Sequence, residues 1–339
     1  MKLHLEDLHL PLRHPFTTAH GTIDIQHNLL VTLEDENGLR GLGEAPSSRA
    51  WPQFDAASAR AALEAARARV EGHDFSTPEV LWDTVQPVLA HHPFALCALD
   101  EAAHDLWGKR LRQPVWKLWG LSPDPPPPTC YTIGLDSIDR MVAKMREFPG
   151  WPVYKIKLGT ADDLEIVRSL RQHTSARFRI DANTAWTVEQ TLEFAPRLQS
   201  LGVEFIEQPL PREDWDGMRR LHERCALPLF ADESCQAEAD VARCAGHFTG
   251  INIKISKAGG LTPARRMLRQ ARALGLQVMI GCMCESSVGI SAIAQLLPAV
   301  DFADLDGALL LASDIADGVR IERGEVSLSS RPGTGARLL

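Results

Sequence analysis

The segment Val153-Tyr154-Lys155-Ile156-Lys157-Leu158-Gly159 ("VYKIKLG") governs how the rest of the chain is read. It is a short apolar run between Pro152 and Gly159 that carries two lysines at i and i+2. Successive side chains of a strand point to opposite faces, so Lys155 and Lys157 share one face while Tyr154, Ile156 and Leu158 share the other. Read alone, it is a sheet edge, where lysines discourage pairing with another chain. The flanking sequence argues otherwise.

Short apolar strand candidates alternate with amphipathic helical stretches from Cys130 onward: "CYTIGL", "VYKIKLG", "RFRIDAN", "VEFIEQP", "PLFADES", "INIKIS", "QVMIGCM" and "FADLDG". Such alternation predicts a parallel sheet with helical crossovers. The step is regular: 24 residues from Lys157 to Asp181, then 26 to Glu207, 25 to Asp232, 22 to Lys254, 27 to Gly281 and 23 to Asp304. Eight strands in even βα units fit an α/β barrel better than a doubly wound sheet, which would carry a glycine-rich phosphate turn after its first strand. Gly259-Gly260 is too slight for one and reads as a plain βα turn.

Upstream, the first 50 residues read as antiparallel strands, with a hairpin signal at Asn37-Gly38. Two or three helical patterns follow, and Pro87 is expected to end or kink the second. Strands followed by segregated helices suggest an α+β domain. "SPDPPPPT", with prolines at 125–128, marks the boundary to the barrel.

A chain of 339 residues with 45% hydrophobic and 24% charged residues is an ordinary globular protein, and its net charge of −8 argues against a nucleic-acid partner. No apolar run is long enough to span a membrane, and the N-terminus lacks a signal-peptide core. Seven scattered cysteines imply reduced thiols and a cytoplasmic location. Cys282 and Cys284 read as strand residues, not metal ligands.

Barrel chemistry sits at the C-terminal ends of the strands. Those ends carry Lys155 and Lys157, then Asp181, Glu207, Asp232 and Lys254. A single acid there is a helix N-cap; three on adjacent strands would raise one another's pKa unless a cation sat between them. Three carboxylates without cysteine or histidine suit magnesium. The second and sixth strands face each other across an eight-stranded ring, which sets one lysine on each side of a metal-bound substrate. Metal proximity and partial burial are expected to depress a lysine pKa, so that a neutral amine acts as base.

At these residues the sequence resembles the enolase superfamily, in its muconate-lactonizing subgroup, and within that the dipeptide epimerases. The resemblance rests on "YKIKLG", "DAN" at 181–183, "EQPL" at 207–210, "ADES" at 231–234, "INIKISKAGG" at 251–260 and "FADLDG" at 302–307. It implies a (β/α)7β modified TIM barrel at 129–311 and an N-terminal α+β capping domain at 1–121, completed by about 312–339. By motif, Asp181, Glu207 and Asp232 would hold one Mg2+ per subunit. Lys157 and Lys254 would be the acid/base pair, with Lys257 the alternative to Lys254, and Lys155 would point at the substrate carboxylate. Thr132, Cys282 and Cys284 would line the pocket, and Asp304 and Asp306 would face a free substrate ammonium. The implied substrate is an L-Ala-Xaa dipeptide inverted at its C-terminal α-carbon. N-acylamino acid racemisation, succinylbenzoate synthesis and muconate cycloisomerisation are the rivals on the same scaffold; homo-oligomer formation is left open. Relatives acting on alanyl-glutamate commonly supply an arginine from the loop at 15–22. Here that loop offers His20 and Gly21 and no arginine, so neutral second residues are expected to compete well with glutamate.

Overall fold

The computed structural model describes residues 1–18, 21–122 and 125–339; His20 lies outside them. Strands β1 (Lys2–Thr18) and β2 (Gly21–Glu34) form a long antiparallel hairpin, and β3 (Arg40–Ala45) pairs with β2. The β2–β3 turn is set by Asp35, whose Oδ1 accepts from Asn37 N and Leu39 N, and by Gly38 at φ +77°. Helices α1 (Ala56–Glu71), α2 (Pro78–Leu89) and α3 (Pro93–Arg110) follow. Pro87 does not end α2, which runs on to Leu89. Its missing N–H strands only the carbonyl of Asp83, and both residues are on the exposed face, while Val85 and Leu89 pack inward.

Eight parallel strands then run in one sheet, in chain order: β4 (Tyr131–Ile133), β5 (Val153–Lys157), β6 (Arg177–Asp181), β7 (Val203–Glu207), β8 (Leu229–Ala231), β9 (Gly250–Lys254), β10 (Gln277–Gly281) and β11 (Phe302–Asp304). A parallel bridge between Thr129 and Ala303 joins the ends of this sheet, and Thr129 Oγ1 accepts from Leu305 N at 2.7 Å. β5 is therefore flanked on both sides, and all five of its residues are buried. Its lysines do not guard an edge. The lower interior is filled by Phe205, Phe230 and Met279, with the fully buried Arg179 donating to Glu204 Oε2 and Ala303 O.

β3 fastens the N-terminal sheet to the barrel. Gly41 and Gly43 face α3 so closely that a Cβ at Gly43 would stand 2.0 Å from the Ala98 carbonyl oxygen. On the opposite face, Leu42 packs with Val288, and Glu44 accepts from Ser286 N, both in the segment after β10. The C-terminal segment returns to α3: Gly333 O accepts from Val115 N, and Asp105 Oδ1 accepts from Thr334 N.

Because a methyl group at Gly43 would collide with helix backbone, Gly43→Ala should lower stability by about 1–3 kcal/mol. Urea unfolding followed by circular dichroism checks this; an unchanged midpoint would contradict the packing.

Candidate active site

Pairing register brings the polar strand ends to one level. Lys157 is opposite Asp181, Asp181 opposite Glu207, and Gly281 opposite both Lys254 and Asp304. Asp232 follows directly on β8. Carboxylate oxygens of Asp181, Glu207 and Asp232 all lie within 4.8 Å of one another, and all three residues are buried.

Lysines surround them. Lys155 Nζ lies 2.7 Å from Glu207 Oε2, 2.8 Å from Asp304 Oδ2 and 3.1 Å from Asp181 Oδ2. Lys157 Nζ is 2.6 Å from Asp181 Oδ2, and Lys254 Nζ is 2.8 Å from Asp232 Oδ2. Lys257 contacts Asp232 Oδ1 and donates to the carbonyls of Asp232 and Cys235 at 2.6 and 3.3 Å. It is committed behind Asp232, whereas Lys254 is part of the cavity wall.

These charges set the protonation tendencies. Burial works to raise Asp181 and Asp232, but Lys157 and Lys155 hold the first, and Lys254 and Lys257 the second, well below the usual carboxylate range. Burial and the neighbouring Asp181 push Glu207 up to about 7. Burial and Asp232 push Glu233 up to about 8. Among the protein's own groups, Lys254 and Lys155 are raised and not depressed. Burial works to lower Lys254, but Asp232 outweighs it, and Lys254 stands above its ordinary value; Lys155 is likewise raised by Asp304, Glu207 and Asp181.

The triad suits a hard divalent cation on two grounds. Its donors are all carboxylate oxygens, and buried Glu207 Oε2 accepts no directed hydrogen bond although Lys155 Nζ is near, its sister oxygen being taken by Asn252 Nδ2 at 2.8 Å. Gly281 leaves room for that asparagine, since a Cβ there would stand 2.5 Å from Asn252 Oδ1.

Above this floor is a cavity of about 490 Å3. Lys155, Lys157, Asp232 and Lys254 line it, as do Thr132, Cys282, Cys284, Asp304 and Asp306; Asp181 and Glu207 are not in its wall. Cys282 and Cys284 sit in the loop past the end of β10 and not on the strand, because the strand stops at Gly281. Asp304 and Asp306 already have partners. Asp304 accepts from Lys155 Nζ and Cys130 Sγ, and Asp306 Oδ2 accepts from Thr132 N at 2.5 Å. Burial works to raise Asp304 but Lys155 holds it down, whereas burial and Asp304 push Asp306 up to about 7.

Three residues of the site escaped the sequence reading. Gln208, at φ +37°, holds two loops together: its Oε1 accepts from Asp232 N and Ser234 N, and its Nε2 donates to Leu210 O. Glu233 was hidden behind its neighbour Asp232, although "DE" after a strand was a visible signal. Arg49 enters the cavity from the loop after β3, where neither periodicity nor a motif marks it.

Two family models cover the chain: "Mandelate racemase / muconate lactonizing enzyme, N-terminal domain" over residues 3–120 and "Enolase C-terminal domain-like" over 138–339. The chain is 49% identical to an L-Ala-D/L-amino acid epimerase of Flavobacterium johnsoniae, over the full length of both. It is 39% identical to an L-Ala-D/L-Glu epimerase of Bacteroides thetaiotaomicron, over 99% of this chain and 87% of that one. The crystal structure of a dipeptide epimerase from Methylococcus capsulatus, complexed with Mg and the dipeptide L-Arg-D-Lys, superposes with a TM-score of 0.90 at 33% identity, covering 99% of each chain.

Glu207→Gln removes charge from the triad and keeps its shape. Calorimetric titration with a divalent cation should show at least a ten-fold weaker association, while Asp306→Asn, outside the triad, should stay near wild type. Equal affinity for Glu207→Gln and wild type would remove Glu207 from the cation site.

Proposed function

Because the chain belongs to the mandelate racemase / muconate-lactonizing family with an enolase-like C-terminal domain, we propose that it is a dipeptide epimerase using Mg2+ to invert the C-terminal residue of an L-Ala-Xaa dipeptide. One observation carries this reading. Lys157 and Lys254 stand on β5 and β9, four strands apart in a ring of eight, each ion-paired to a carboxylate of the same triad. A planar carbon between them is open to one amine on each face.

Asp181, Glu207 and Asp232 would hold the magnesium ion, and when bound it would supply positive charge against the substrate carboxylate, where negative charge develops. The protein's own groups do the rest. Lys157 takes the α-proton, so that the C–H pair passes into the planar enolate form of the substrate. Lys254, as ammonium, returns a proton to the opposite face. The two exchange roles for the other epimer. Lys254 is held as an ammonium by Asp232, which suits it to donate; that pairing must loosen before it can serve as base. Lys155, already between three carboxylates, is the cation nearest a substrate carboxylate entering the triad.

Asp304 and Asp306 would receive the substrate's free ammonium at the wall next to Thr132. Free amine recognition favours a dipeptide over an N-acylated or non-nitrogenous substrate, which has no cation to bury. We take residues 1–121 with about 312–339 as the cap and 129–311 as the barrel, supported by the bonds from Val115 to Gly333 and from Thr334 to Asp105, which tie the two cap segments together. Seven unpaired cysteines accord with a reducing cytoplasm. No described helix is long and apolar enough to cross a membrane.

Lys254→Ala should abolish conversion of L-Ala-L-Gln to L-Ala-D-Gln, followed by chiral chromatography, and so should Lys157→Ala. Normal turnover in Lys254→Ala alongside an inert Lys257→Ala would move the role to Lys257. Removing one partner of a buried ion pair costs about 3–5 kcal/mol. Asp304→Asn should accordingly lower kcat/KM for a free dipeptide roughly a hundred-fold or more, and affect an N-acetylated dipeptide, a poor substrate throughout, much less. Equal losses on both would argue that Asp304 serves Lys155 alone.

A further inference from the structure

Strands β1 and β2 set two histidines face to face. Their antiparallel register places His9 directly opposite His27, and both residues are exposed. The rings meet edge to face, with centroids 4.9 Å apart and planes at 82°. Nδ1 of one ring lies 2.8 Å from Nδ1 of the other. Other histidines have partners of a different kind: His4 reaches Glu34, His14 reaches Glu147 and His92 reaches Ser58. A contact between two Nδ1 atoms needs one ring to donate and the other to accept. Both ring edges are thus turned toward the same small space.

That spacing is the bite of a chelate. Two imidazole nitrogens, each about 2.0–2.1 Å from one metal ion and at right angles around it, stand about 2.9 Å apart. At a tetrahedral angle they stand about 3.4 Å apart. The observed 2.8 Å matches the right-angled case, the square-planar or tetragonal arrangement of Cu2+ and Ni2+ with nitrogen ligands. Cu2+ also heads the divalent series in affinity for such donors. When a metal takes the place of the hydrogen bond, the donating ring carries its proton on Nε2, so both imidazoles stay neutral. Strand pairing already fixes the two backbones, which leaves only the side-chain torsions to order on binding.

The chemistry of this pair differs from that of the barrel floor. Asp181, Glu207 and Asp232 offer oxygens to a hard cation, whereas His9 and His27 offer nitrogens to a borderline one. Asp7, two residues before His9, is taken by Arg60. Among the described residues the pair joins no third histidine, cysteine or acid in a cluster of ligand atoms, so water completes the coordination. His27 also lines the cavity, which puts the ion at its rim. We propose that His9 and His27 form a two-histidine site for one transition-metal dication of the Cu2+ and Ni2+ class, separate from the carboxylate triad and tying β1 to β2. This site does not depend on the epimerase reading.

The test uses the full-length protein in excess Mg2+ at about pH 8, where an ordinary imidazole is a neutral ligand, with one equivalent of Cu2+ as the probe. Pulsed electron paramagnetic resonance counts the imidazoles on the ion. Wild type should show two. His9→Asn and His27→Asn should show no more than one each, with Cu2+ held roughly ten-fold more weakly or worse, because the second ligand is no longer fixed beside the first. His4→Asn, which removes an exposed histidine from the same strand, should match wild type. Both positions of the pair are exposed, so the variants should keep the wild-type circular dichroism, and the wild-type count stands without them. A wild-type signal with one imidazole or none overturns the proposal, an all-oxygen signal from Cu2+ displacing Mg2+ at the triad included. Two imidazoles that persist in both His9→Asn and His27→Asn overturn it as well, since they then belong to other histidines.

Discussion

Mutual compensation of buried charge at the barrel mouth is the constraint on which the rest depends. Asp181, Glu207, Asp232 and Asp304 are all buried, and so are Lys155, Lys157, Lys254 and Lys257. An ion left alone in such a place costs several kcal/mol even after relaxation. The eight groups are tolerable together because every lysine touches at least one carboxylate, and Lys155 touches three. Parallel register makes this arrangement: it sets Lys157, Asp181 and Glu207 at one height on neighbouring strands. A one-residue slip of β5 would turn both lysines away from the triad.

Compensation is uneven, and the unevenness has chemical meaning. At Asp181 and Asp232 the lysines outweigh burial, whereas burial outweighs Lys155 at Glu207 and Lys254 at Glu233 and pushes both glutamates toward the neutral form. A cation among the three triad carboxylates would offset the burial and the repulsion from Asp181 that raise Glu207.

Much of this was legible in the sequence because it is periodic. Eight apolar segments, the last seven of them reaching a lysine, acid or glycine at steps of 22–27 residues, specify strands, their order and the level of the site. The two lysines of β5 could be assigned to the interior because their neighbours on the chain demanded a closed ring. What was not legible depends on contacts between distant segments. The bond from Lys155 to Asp304 spans 149 residues, and the contact between Arg49 and Gly21 joins two irregular loops with no pattern to announce it. The direction of the Lys254 shift in the protein alone rests on such a contact too. Burial alone would depress Lys254, and only the position of Asp232 reverses the sign. Pro87 does not end α2 as one arm of the expectation had it, because its cost depends on exposure, which the helix pattern alone does not give.

The central claim is that two amines on opposite faces exchange the α-proton of a dipeptide's C-terminal residue. Incubating the wild-type protein with Mg2+ and L-Ala-L-Gln in D2O, with the α-hydrogens followed by proton NMR, tests it most directly. The account predicts loss of the glutaminyl α-hydrogen signal, retention of the alanyl one, growth of the L-Ala-D-Gln epimer, and arrest of all three changes by a chelator. Exchange at the alanyl carbon, or exchange that continues undiminished after the metal is removed, would contradict it.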